Sequence, residues 1–124
     1  LVETEPHLLA LRIDENIFFA NTKAVEQAIY QALGDYPDTR EVLLILSAVN
    51  HIDSTGLDML SELTEGLKER DIGLHLAEVK GPVMDQLQHT DWIGRQIGQV
   101  FPSTDIAFNT LGKVANRAPE HSGE

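Results

Sequence analysis

A chain of 124 residues with 42% hydrophobic and 23% charged side chains has the size and balance of one folded domain and excludes intrinsic disorder. Nine Lys and Arg against 20 Asp and Glu give a formal net charge of −11. That charge repels phosphate backbones and anionic headgroups, so no nucleic acid and no direct lipid contact is expected as a partner.

Leu8 to Ile13 reads as a strand and Ile17-Phe18-Phe19 as a short second one, with Asp14-Glu15-Asn16 as the polar turn of an opening hairpin. Asn21 or Thr22 can cap a helix whose apolar positions Val25, Ala28, Ile29, Ala32 and Leu33 keep the helical period. Gly34 and Pro37 are expected to end it. Val42 to Leu46 lacks alternation, as a central strand covered on both faces does. Its length is also far short of the roughly 20 apolar residues that cross a bilayer.

Asn50 to Ser54 connects that strand to a helix from about Thr55 to Arg70. Leu57, Leu60, Leu63 and Leu67 gather on one side of this helix, opposite Asp58, Glu62, Glu65 and Glu69. Leu74 to Ala77 is the next strand, and Pro82 opens a shorter helix with Val83, Met84 and Leu87 on one side. Gln99-Val100-Phe101 closes the strands. Asp105 to Arg117 is a last helix using Ala107, Leu111 and Val114, and 118–124 is a flexible tail. Strands and helices alternating through short connections predict a single α/β domain over 1–117, with a mixed sheet whose later strands run parallel.

Asn50-His51-Ile52-Asp53-Ser54-Thr55-Gly56 is the most informative segment, because ligands and partners of open α/β sheets meet the carboxyl ends of the strands. Asp53 or Ser54 can accept from the free N–H groups of the helix's first turn, and Gly56 admits a close approach. Plain capping, with no function, accounts for the same residues. The acidic stripe Asp58, Glu62, Glu65 and Glu69 is either a solvated outer face or a docking face for a basic partner. Phe18-Phe19 and Trp92-Ile93 each read as a local packing anchor or an exposed partner patch.

Catalysis finds no apparatus. An extra residue separates Asp53 from Gly56, unlike the Asp-Thr-Gly of aspartic proteases, and Ser54 lacks the flanking glycines of a hydrolase elbow. His7, His51, His75, His89 and His121 show no metal-ligand spacing, and His75, near Glu78, reads as a surface or core-edge residue. With no cysteine and no glycine-rich phosphate loop, neither a metal nor a cofactor is expected.

From about Leu8 to Val114 the chain resembles the STAS domain of SulP-type sulfate and anion permeases and of bacterial anti-sigma factor antagonists. Ser47-Ala48-Val49-Asn50-His51-Ile52-Asp53-Ser54-Thr55-Gly56-Leu57 is similar to that family's strand-loop-helix junction. Ile17-Phe18-Phe19-Ala20-Asn21 and Val100-Phe101-Pro102 are similar to the permease branch. The resemblance implies a STAS-like fold and the C-terminal regulatory domain of an anion transporter, at the cytoplasmic face of the inner membrane. Its partners would be the transmembrane portion of the same protein, a cytosolic protein or a second copy. Leu1 in place of Met fits a segment of a longer protein. Thr55, with Ser54 beside it, matches the position phosphorylated in the antagonist branch, although Ile45 stands where many members carry an aspartate. A free-standing phosphoswitch is the alternative reading.

Overall fold

The computed structural model describes residues 2–5, 7–89 and 99–112. Five strands form one sheet in sequential order: β1 (Val2–Glu5), β2 (Leu8–Arg12), β3 (Glu41–Ile45), β4 (Gly73–Ala77) and β5 (Val100–Phe101). β1 pairs antiparallel with β2, and the other three pairings are parallel. Parallel neighbours need crossovers. α1 (Thr22–Asp35) and α2 (Ser54–Glu69) supply the first two, and α3 (Gly81–Gln88) lies between β4 and β5. Residues 104–112 form a further helix, α4.

The sheet is apolar on both faces. Leu9, Leu11, Val42, Leu44, Leu74 and Leu76 join the buried residues of α1, α2 and α3, whereas Leu8, Ala10, Leu43, Ala77 and Phe101 join Ala107 and Leu111 of α4. This two-sided cover is why β3 shows no polar alternation. The mixed α/β class, the central strand and the acidic-striped helix agree with the sequence reading. Within α2, Met59 is buried and Leu57 only partly so. Thr64 is buried too, its hydroxyl donating to the Leu60 carbonyl at 2.6 Å.

Three expectations change. Ile17-Phe18-Phe19 is not a strand paired with β2: β1 occupies that edge, and Ile17 makes one isolated parallel bridge to Ile52. Gly34 does not end α1 but lies inside it. The stop comes at Tyr36 (φ −128°, ψ 72°), which Pro37 pushes away from helical geometry, and whose N–H still bonds the carbonyls of Ala32 and Leu33. Ala28 is not in the core. It lines an apolar groove of about 330 Å³ between α1 and the end of β2, with Leu11, Ile13, Ala24 and Val25. Trp92, Ile93, Val114, His121 and the tail 118–124 lie outside the described residues.

Candidate functional site

Two loops and the helices α2 and α3 meet at the carboxyl end of the parallel strands. The loop after β3 passes beside the segment after β2, and their backbones interlock: the Ile17 N–H donates to the His51 carbonyl at 3.1 Å and the Asp53 N–H to the Ile17 carbonyl at 3.0 Å. Asn16 Oδ1 accepts from the N–H groups of Asn50 (2.7 Å) and His51 (3.1 Å). Gln86 of α3 acts as a strand neighbour for Ile52. Its Oε1 accepts the Ile52 N–H at 3.0 Å, and its Nε2 donates to the Ile52 carbonyl. Lys80 Nζ donates to Asn50 Oδ1 at 2.9 Å.

Asp53 joins the two loops to α2. One carboxylate oxygen accepts from Gly56 N–H at 2.8 Å as the helix cap, and the other accepts from Phe19 N–H at 3.0 Å. A carboxylate at this position also suits the positive end of the helix dipole. Of the two residues the sequence offered as cap, Asp53 takes the role, while Ser54 and Thr55 sit exposed in the first turn. For α1, Asn21 holds the cap position, yet its Oδ1 accepts from Phe18 N–H (2.9 Å) and its Nδ2 donates to the Asn16 carbonyl (2.6 Å).

Gly56 is where the close approach occurs, and what approaches is the chain's own backbone and core. A Cβ there would lie 2.7 Å from Ile52 Cγ2, 2.9 Å from Ile17 Cγ2 and 3.0 Å from the Ile17 carbonyl oxygen.

These bonds leave Phe18 and Phe19 held by their backbones while their side chains face solvent, Phe19 being 74% and Phe18 40% exposed. Asn50, His51, Ser54 and Thr55 are exposed on the same end of the domain. Asp58, Glu62, Glu65 and Glu69 are exposed as well, but they run along α2 away from this end. The junction therefore offers fixed exposed apolar groups beside polar hydroxyls and a helix N-terminus. That chemistry suits recognition of another surface.

Sequence reading did not find Asn16, Lys80 and Gln86. Asn16 reads as one more turn residue, and nothing local ties a glutamine on a short helix to a backbone 34 positions earlier. Replacing Gln86 by Leu is expected to lower stability by about 1 kcal/mol, since the partly buried bonds from its amide to the Ile52 N–H and carbonyl are lost. Urea unfolding together with faster exchange of the Ile52 amide checks this.

A family model described as the STAS domain matches residues 1–107. Sulfate transporter 1.3 of Arabidopsis thaliana is 32% identical over 129 residues, an alignment covering 96% of this chain and 19% of the transporter. This chain spans about a fifth of the length of the curated sulfate transporters it matches. Among solved structures, a putative anti-sigma factor antagonist from Thermotoga maritima superposes with a TM-score of 0.76 at 15% identity, covering 89% of this chain and 92% of that one. The murine anion transporter Slc26a9 superposes with a TM-score of 0.76 at 19% identity, covering 88% of this chain and 18% of that one.

Proposed function

The chain belongs to the STAS domain family, and on that premise we propose that it is the cytosolic regulatory and interaction domain of a SulP-type anion transporter, acting by binding and not by catalysis. The sulfate transporters among its relatives support the transporter branch over the free-standing phosphoswitch. No helix among the described residues is long and apolar enough to cross a membrane. In this reading transport itself falls to the membrane portion of a full-length transporter.

The observation that carries the reading is the organised exposure of Phe18 and Phe19. Exposed aromatic rings on a free loop would cost ordering entropy on docking, whereas these two start from a backbone already held by Asn21 and Asp53. In this proposal the rings and the loop from Asn50 to Gly56 dock on the membrane portion, another protomer or a cytosolic protein. A phosphate on Thr55 or Ser54 would add charge at the rim of that surface, favoured by the α2 dipole and opposed by Asp53. The stripe of Asp58, Glu62, Glu65 and Glu69 offers a second face, suited to a basic partner.

In the full-length transporter, Phe19→Asp and Thr55→Glu are each expected to change sulfate flux about fivefold or more, the scale of an ordinary coupling between sites. The melting temperature of the isolated domain should hold, because exposed substitutions usually stay within about 0.5 kcal/mol. Unchanged flux, abundance and assembly in both variants would remove the docking role.

A further inference from the structure

At the opposite edge of the sheet from β1, the buried imidazole of His75 has both ring nitrogens engaged. Its side chain is 10% exposed. Nε2 lies 2.5 Å from Glu41 Oε2 on β3, and Nδ1 accepts the Gln99 N–H at 3.1 Å at the entry to β5. The sequence reading placed His75 near Glu78, but its carboxylate partner is Glu41. An amide N–H only donates, so Nδ1 carries the lone pair and the proton of the neutral ring sits on Nε2, facing the carboxylate. Gly73 leaves room for this pair: a Cβ there would come 2.8 Å from Glu41 Oε2 and 2.9 Å from His75 Nε2.

β5 is two residues long and pairs with β4 at two positions. Leu76 N–H donates to the Gln99 carbonyl at 2.9 Å, and Glu78 N–H to the Phe101 carbonyl at 3.1 Å. The Phe101 ring lies against the imidazole with centroids 6.1 Å apart. Past the strand, the Glu78 carboxylate accepts from both the N–H (3.2 Å) and the hydroxyl of Thr104, where α4 begins. α4 in turn covers the second face of the sheet through Ala107 and Leu111.

We propose that His75 is a proton-operated latch on β5, in which uptake of a proton from solvent at Nδ1 releases Gln99 and loosens β5 together with the start of α4. An imidazolium has two donors and no acceptor, so no rotation of the ring can again accept the Gln99 N–H. The same proton strengthens the contact with Glu41, so the ring stays on β3 while β5 is let go. Among the described residues Glu41 is the charged group that touches the ring. From β5 and its entry come Phe101 and Gln99, neither titratable, and the cluster on this face, with Ala10, Leu43, Ala107 and Leu111, brings no charge. Glu78 lies farther along, at the Thr104 end of the tie.

Amide hydrogen exchange on this chain, corrected for intrinsic rates, tests the latch as pH is lowered from about 8 to about 5. Protection of the Gln99, Leu76 and Glu78 amides is expected to fall about tenfold, the scale of one lost hydrogen bond, while Leu44 in β3 keeps its protection. His75→Asn supplies an acceptor that does not titrate, and should abolish the pH dependence. Should that variant fail to fold, the ring nitrogen-15 shifts of the native protein decide: Nδ1 must be unprotonated at the upper pH and gain its proton as Gln99 is released. Protection of Gln99 that is independent of pH, an equal fall in His75→Asn, or an Nδ1–H already present at the upper pH would each overturn the proposal.

Discussion

Gly56→Ala is expected to destabilise the domain by about 2 kcal/mol, and Gly56→Val to prevent it from folding. Alanine is the better helix former by about 1 kcal/mol, so on propensity alone the change would stabilise α2. The added Cβ instead meets Ile52 Cγ2 at 2.7 Å, Ile17 Cγ2 at 2.9 Å and the Ile17 carbonyl oxygen at 3.0 Å. Ile17 and Ile52 are fully buried and bridged to each other, so neither can step aside without breaking the junction between the two loops. Overpacking of this kind costs about 1–3 kcal/mol and occasionally more, enough to reverse the propensity gain. A drop of about 2 kcal/mol corresponds to roughly 8 °C in melting temperature for a domain near this size. Thermal unfolding decides the matter, and a Gly56→Ala protein as stable as the native one would mean that the close approach is not a constraint.

Asp53→Ala is expected to cost about 2 kcal/mol and to free the Phe18-Phe19 segment. Loss of a helix cap accounts for about 1 kcal/mol. The bond to Phe19 N–H, made to a charged acceptor but in an exposed place, accounts for about as much again. Asp53→Asn keeps one acceptor oxygen where the carboxylate has two, so its loss should fall midway. Urea unfolding measures the stability, and exchange of the Phe19 and Gly56 amides separates the two roles: both should quicken in the alanine variant. In the proposed function this variant also weakens docking, because the aromatic rings lose the backbone anchor that holds them in place. A protein that lost stability while Phe19 stayed protected would show that other bonds hold the segment.

Features whose cause lies within a turn or a strand can be read directly from the residues. The run from Val42 to Leu46 is apolar at every position because both faces of β3 are covered, and that needs no knowledge of what covers them. The spacing of Leu60, Leu63 and Leu67 against Asp58, Glu62, Glu65 and Glu69 marks the buried and exposed sides of α2, and Asp53 caps it by accepting from the N–H three residues on. How the ends of the sheet are closed depends instead on contacts between distant parts of the chain. Ile17-Phe18-Phe19 has the composition of a strand, yet its partner is Ile52, and β1 takes the edge where a hairpin with β2 was expected. Asn16, Gln86 and the Glu41–His75–Gln99 chain each join groups 24 to 35 positions apart. Such ties answer to backbone N–H and carbonyl groups that remain unpaired once the strands have aligned, and a buried polar group must find a partner wherever the fold brings one within reach. Periodicity and capping are local and therefore legible. Which side chain satisfies a distant backbone is settled only when the sheet has formed.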